Sequence, residues 1–451
     1  MSFEITKELL EQVTSYIGAA NNDALVAYFE EMHHADIAEI LDELSFDDAV
    51  YVIKLLNSEK TSEVLMDVDN DVREKILQSL SAKEIAEEVE ELDSDDAADI
   101  IGELSEERQE AVMSQIEDEE HVKEIEELLT YTEDTAGSLM AKELVKVNEN
   151  WTVLRCVREM RTQAEEVTRV HSIYVVDNDN KLKGRLSLKD LLIASTKTAI
   201  SEVYIPNVDY VNHYDDLDEV SFKMRKYDLE AIPVVNNGHV LLGRITIDDM
   251  VDVIKEEADK DYQLAAGIVE DVEADDSILA LTKARLPWLI LGLFGGLGSV
   301  LIMDFFDESI RAIESYKKLF FFTPLIAAMA GNVGVQSSAI IVQGLANDSV
   351  KGSLWKRLLK EVGLSLINGI ALGIILIVTA FAMGYPTNLC ITVSISMLCV
   401  IIFAALIGTF VPLVLDKRDI DPAIATGPFI TTSNDIFGIF LFFLIAKSML
   451  S

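Results

Sequence analysis

Residues 424–446 read IATGPFITTSNDIFGIFLFFLIA, and Asp435 is the one charge among these 23 residues. A run of that length can cross a hydrocarbon core of about 30 Å as a helix. Counted from Asp421 at about 1.5 Å per residue, Asp435 lies roughly 21 Å along it, near mid-membrane. A carboxylate at that depth is costly unless it faces a cavity, a cation or a partner. Lys447, the nearest base in the segment, is about 18 Å further along the helix and out of reach. The string from Pro428 to Asp435, with Thr431 inside it, is rich in oxygen donors, which suit a hard cation. Two readings follow: an ion path, or a protonated Asp hydrogen-bonded to a neighbouring helix. The missing basic partner favours the ion path.

Four more apolar segments precede this one, at about 286–303, 319–345, 362–384 and 389–415. Lys351, Lys356, Arg357 and Lys360 follow the second, Lys417 and Arg418 follow the fourth, and the turn Tyr385-Pro386-Thr387-Asn388 after the third is uncharged. Basic loops stay on the cytosolic side, so this pattern predicts a multi-pass protein of the plasma (inner) membrane, with a cytosolic N-terminus and an external C-terminus. Five spans make a small membrane domain, which favours a dimer. In the second segment Asn332 and Gln336 stand one turn apart on one face. Alone they read equally well as interhelical hydrogen-bonding groups or as pore lining. Beside Asp435, pore lining gains.

The chain holds 78 acidic and 37 basic residues, unevenly placed. Residues 284–451 carry 10 acids and 11 bases, which leaves 68 acids and 26 bases in residues 1–283, a net −42. That acidic half argues against nucleic acid as a partner, since nucleic acid needs a basic face. It suits cations, or serves solubility alone. Met1 to Glu8 has no apolar signal core, so the acidic half is expected in the cytosol. Cys156, Cys390 and Cys399 have neither metal nor redox spacing. No nucleophile–base pair or phosphate loop stands out, so an enzyme is not expected.

Residues 1–130 read as short helices with a ragged repeat, Ser45 and Ser81 each preceding an acid by three positions as at a capping box. Helices this short do not hold alone, so stacking into a superhelix is expected. Residues 136–256 contain a duplication with a constant offset of 59: Ile173-Tyr174-Val175-Val176-Asp177-Asn178 against Ile232-Pro233-Val234-Val235-Asn236-Asn237, and Gly184 to Asp190 against Gly243 to Asp249. Each copy reads strand, turn, strand, helix. This resembles a tandem cystathionine-β-synthase (CBS) domain pair. Such pairs usually regulate and often bind adenosine nucleotides; the resemblance leaves nucleotide binding open here. Residues 249–283, with Asp259, Asp261, Glu270 and Asp271, read as a rigid helical connection to the membrane.

The whole assembly resembles the MgtE family of magnesium channels. Gly331-Asn332-Val333-Gly334-Val335-Gln336, Asp421-Pro422-Ala423 and the run from Pro428 to Asp435 carry the resemblance, in family order and spacing. It implies an all-α acidic domain (1–130), an α/β CBS pair (131–256), a connecting or plug helix region (257–283) and a five-helix transmembrane pore domain (284–451). It further implies a homodimer in the lipid bilayer with a pore on its two-fold axis. Asp435 matches the family's selectivity aspartate, so two copies would face one hydrated Mg²⁺, an ion that usually keeps several waters. Cytosolic Mg²⁺ is implied to close the pore. The matching positions are Glu63, Asp95 and Asp99 in the first domain, Asp216, Asp218 and Asp228 in the CBS pair, and Asp249, Asp252, Glu257 and Asp261 on the connecting helix. This chain departs from the family at Ala330 and Gly427, and at Lys260, which stands where an acid is usual.

Charge alone supports such a gate. Two carboxylates about 8 Å apart repel by roughly 0.5 kcal/mol in water, and by more near protein. A few kcal/mol of differential cation binding moves a two-state gate. An ion-coupled divalent-cation transporter and a membrane-anchored Mg²⁺ sensor are the competing readings; the sensor has no use for Asp435.

Overall fold

The computed structural model describes residues 5–164, 167, 169–269, 272, 276–311, 314–346, 350, 353–418 and 420–450; Glu270, Asp271 and Lys351 lie outside the described residues. The chain forms two compact units, residues 1–254 and 255–451.

The first unit opens with helices of 8–12 residues: α1 (Lys7–Gly18), α2 (Asn22–Phe29), α3 (His34–Asp42), α4 (Phe46–Ile53), α5 (Ser58–Asp67), α6 (Asn70–Ser79), α7 (Ala82–Val89), α8 (Ser94–Gly102), α9 (Glu106–Met113) and α10 (Glu119–Leu128). Polar caps start several of them. Ser81 and Glu84 form a reciprocal capping box, Asn57 caps Lys60, and Asp118 accepts from the Glu120 and His121 amides. Each helix buries an apolar face in a shared core, for example Ile37, Ile40 and Leu41 from α3 and Ile100 and Ile101 from α8. Tertiary packing therefore holds helices too short to stand alone.

Two sheets follow. Strands β1 (Val145–Asn148), β2 (Ile173–Val176), β3 (Leu182–Leu186) and β4 (Ile205–Pro206) pair in chain order, with α11 (Val153–Gln163) crossing between the parallel strands β1 and β2 and α12 (Leu188–Ile193) after β3. Strands β5 (Val211–Asn212), β6 (Ala231–Val235) and β7 (Leu241–Thr246) repeat the pattern, with α13 (Leu217–Tyr227) as the crossover and α14 (Ile247–Ala266) after β7.

The duplication holds atom by atom. Asp177 accepts the amides of Asp179 and Lys181, and Asn236 accepts those of Gly238 and Val240. The left-handed turn residues Asn180 and His239 are 59 positions apart, as are the bulges at Val175/Val176 and Val234/Val235. The copies bind each other reciprocally: Leu182 donates to the His239 carbonyl and Leu241 to that of Asn180. They differ in their cores. Val211, Val220, Ile232 and Ile245 of the second copy join the core of the helical domain, whereas the first copy packs around its own Val145, Cys156 and Ile173.

Residues 278–450 form α15 (Ile278–Arg311), α16 (Thr323–Ala346), α17 (Leu354–Ala382), α18 (Thr387–Asp416) and α19 (Gly427–Leu450). All five are long and apolar enough to cross a membrane. Helix α18 is central and packs on α16, α17 and α19, while α15 presents Leu289, Leu293, Phe294 and Leu301 outward as a lipid-facing helix does.

The continuous helix expected over 249–283 does not form. Helix α14 stops at Ala266, and α15 begins at Ile278. Gly267 takes φ +83°, its amide donates to the Leu264 carbonyl, and the Ile268 amide donates to that of Gln263. This is a Schellman stop, which glycine accepts without the penalty a Cβ would bring. A single glycine therefore ends the helix without the proline or Ser/Gly run that the sequence lacks.

Candidate functional site

Helices α16 and α19 enclose a cavity of roughly 410 Å³ lined by Gly331, Asn332, Val335, Gln336, Thr431 and Asp435, together with Ala327 and Ala328. All four pore residues read from the sequence thus face one space. Asn332 and Gln336 are exposed there, and Asp435 is half-buried. Gly331 lets the partner helix come close: a Cβ on it would stand 4.0 Å from an Asp435 carboxylate oxygen and 3.2 Å from Thr431 Cγ2. Thr431 Oγ donates to the Gly427 carbonyl at 2.9 Å. No base is among the lining residues. The arrangement can hold a cation through oxygen ligands, directly or through its waters.

The depth of Asp435 differs from the count made on the sequence. Asp421 caps a short 3₁₀ turn, Pro422–Ala425, and the α-helix starts only at Gly427, with φ +45°. Asp435 is therefore about 12 Å into the helix, near one third of its length. Close contacts hold this start in place: the Ala265 carbonyl of α14 sits where a Cβ of Gly427 would be, and the Pro428 ring where one of Gly267 would be.

The expected regulatory acids separate into two groups, with Glu257 and Asp261 in the second unit and the rest in the first. Asp95, Asp99 and Asp249 converge where α8 meets the start of α14. Glu63 is exposed on α5, Asp216 caps α13 through the Asp218 amide, and Asp228 ends that helix at φ +50°. Asp218, Asp252 and Glu257 are exposed and Asp261 is half-buried.

The converging group includes acids that the sequence reading did not select. One carboxylate oxygen each from Asp93, Asp95 and Glu143 lies within 4.8 Å of the other two. Glu143 accepts the Ser94 amide at 3.0 Å and the Ser94 hydroxyl at 2.9 Å, and that hydroxyl accepts the Lys142 amide. Asp249 accepts from the Thr246 amide and hydroxyl. Burial, then Asp96, Asp249, Glu143 and Asp93, holds the Asp95 carboxyl well above the usual carboxylate range. Burial and Asp249 push Asp96 to about 7. Asp99 keeps an open side, yet enough protein surrounds it that desolvation raises it to about 6 against the pull of Arg73. Such a set binds protons or cations, because ionised and empty it repels itself. The buried Arg244 pairs with Asp93 at 3.3 Å and donates to the Glu143 carbonyl at 2.6 Å, so one base stands against this set. Asp93 and Asp96 were visible in the run Asp93-Ser94-Asp95-Asp96. Glu143 carries no local signal, since only the tertiary fold brings it here.

The duplication also places equivalent residues at the same position of each copy. In the first copy Arg185, Ser187 and Asp190 line an open cavity of roughly 430 Å³ with His171 and Lys189. In the second, their counterparts Arg244, Thr246 and Asp249 face α8.

Comparison with known proteins places these features together. Residues 32–134 match the MgtE intracellular N domain, residues 136–197 and 200–256 match CBS domains, and residues 323–445 match a divalent cation transporter domain. The chain is 34% identical over 330 residues to the magnesium transporter MgtE of Thermus thermophilus, covering 72% of each protein. It is 36% identical to that of Enterococcus faecalis, over 73% of this chain and 72% of the relative. Among solved structures, the cytosolic domain of the Mg²⁺ channel MgtE in complex with ATP aligns with TM-score 0.51 and 34% identity, over 54% of this chain and 100% of that one.

Proposed function

The chain belongs to the MgtE family of magnesium transporters, and from that premise we propose that it is a Mg²⁺-selective channel for uptake, closed by cytosolic Mg²⁺. It is a membrane protein with a cytosolic N-terminal domain, and a transporter rather than an enzyme. The observation that carries the channel reading is the cavity in which Asn332, Gln336, Thr431 and Asp435 meet without a base. A second copy of the chain would complete it, bringing two Asp435 carboxylates to one hydrated ion. The exposure of Asn332 and Gln336 in the single chain supports this. The C-terminus is external in this reading.

The regulatory acids fit a hard cation by their chemistry: Asp93, Asp95, Asp96, Asp99, Glu143 and Asp249 offer only oxygen, and burial among like charges disfavours the ionised forms of Asp95, Asp96 and Asp99. They would hold cytosolic Mg²⁺ between α8 and α14 and so tie the helical domain to the helix that runs toward the pore. Glu63, Asp216, Asp218, Asp228, Asp252, Glu257 and Asp261 are surface positions for further Mg²⁺. The open cleft of the first CBS copy, with Arg185 and Lys189 for phosphate, is proposed for an adenine nucleotide, as the solved relative holds ATP.

The decisive experiment is Mg²⁺ flux into liposomes carrying the purified protein. Asp435→Asn, which removes charge with little change in volume, is expected to lower flux at least about tenfold, a transition-state effect of about 1.4 kcal/mol. Wild-type flux in that variant would remove Asp435 from the pore. Flux strictly dependent on a proton or sodium gradient would favour a coupled transporter instead.

A further inference from the structure

A second group of ligand-type side chains stands beside the Asp95 cluster and shares Glu143 with it. His121 and Glu124 are three residues apart on α10, hence on one helical face, and Glu143 precedes β1. One ligand atom from each lies within 4.8 Å of the other two.

The imidazole is oriented from outside the group. His121 Nε2 is 3.2 Å from the Val89 carbonyl. A carbonyl can only accept, so Nε2 carries a proton, and in the neutral imidazole Nδ1 keeps its lone pair. Metal-binding histidines are held in this way, one nitrogen donating to a backbone carbonyl and the other left for the ion. Glu143 is pinned by the buried Ser94 through both carboxylate oxygens. Burial, and then the charge of Glu143, raise the Glu124 carboxyl.

The donor set is one nitrogen and two oxygens. Mg²⁺ takes oxygen and gains nothing from imidazole, whereas zinc, cobalt and nickel ions bind imidazole well. We propose that His121, Glu124 and Glu143 form a three-ligand site for a first-row transition dication, with water completing the coordination. Side-chain rotations of about an ångström bring the three atoms to metal–ligand distances near 2.0–2.2 Å.

The test uses the full-length protein in detergent, titrated with Co²⁺ in the presence of millimolar Mg²⁺ so that oxygen-only sites are filled. A visible d–d band that saturates at one Co²⁺ per chain and bleaches with Zn²⁺ is expected. His121→Gln and Glu124→Gln should each weaken it at least about tenfold. Glu124→Gln leaves the His121–Val89 bond in place, and an unchanged protease pattern confirms that each variant is folded. The pore offers no nitrogen ligand, so dependence on His121 assigns the band to this site. No band in the wild type, or a band that survives both substitutions, would overturn the proposal.

Discussion

The Gly334 carbonyl of α16 occupies the place where a side chain on Gly408 of α18 would begin. Gly334 in turn leaves room for the amide of Asn434, the neighbour of Asp435 on α19. Here α16 and α18 meet backbone to backbone, while α19 reaches Gly334 through the Asn434 side chain, close approaches that small residues permit in membranes. Because Asn332 and Gln336 ride on α16, this contact sets how they face the cavity. Gly408→Ala must push α16 and α18 apart, at a cost of about 1–3 kcal/mol. A lowered melting temperature in detergent is expected, with no change for Gly363→Ala, whose Cβ would meet nothing within 4 Å. Equal melting of both variants would contradict the close packing.

Gly427 offers a sharper probe of the proposed gate. Its φ of +45° is one that Asn tolerates better than most residues, so Gly427→Asn isolates the contact with the Ala265 carbonyl from backbone strain. The added side chain should displace the end of α14 from the start of α19. Flux at millimolar internal Mg²⁺ is expected to rise several-fold, while flux at low internal Mg²⁺ stays the same. Full inhibition in the variant would show that this contact has no part in closing the pore.

Neutralising the acidic cluster has two opposite effects that can be read separately. Asp95→Asn together with Asp249→Asn relieves repulsion, so the protein without Mg²⁺ should melt higher than wild type. The same change removes ligands, so the extra stability conferred by millimolar Mg²⁺ should shrink and inhibition of flux should weaken. A wild-type Mg²⁺ shift in melting temperature would take these residues out of the regulatory site.

Glu88 tests burial without metal. Desolvation, then Glu87, Glu91 and Glu84, pushes its carboxyl from 4.5 to about 8, and Oε2 has no hydrogen-bond partner among the described residues. The fold therefore holds this proton more tightly than the unfolded chain does, and stability falls as pH rises from about 4.5 to 8. Glu88→Gln should raise the melting temperature at pH 8.5 by on the order of a few degrees and leave it unchanged near pH 4. An equal gain at both pH values would point to packing rather than ionisation.

Features with a local physical cost were legible in the sequence. Asp435 stood out because a charge in an apolar run demands a reason, and the CBS register followed from turn residues repeated at Asp177 and Asn236. Features made by distant contacts were not. Glu143 reaches Asp95 only through the packing of α8 against the second CBS copy. Counting helix from Asp421 overstates the depth of Asp435, because the left-handed Gly427 starts the helix later. The stop at Gly267 hid for a similar reason: one glycine does in the Schellman geometry what a longer break was expected to do.

The late start of α19 has an electrical consequence. In the proposed topology, with the C-terminus external, Asp435 stands about one third of the way in from the cytosolic end of α19, so an ion arriving from outside would cross roughly two thirds of the membrane field before it meets the carboxylate. For a divalent cation that is worth roughly 3 kcal/mol per 100 mV, a change in occupancy of about a hundredfold or more. On the proposed pore assignment, membrane voltage contributes directly to filling the site: a well-energised cell would load Asp435 from outside, and a depolarised one would let it empty.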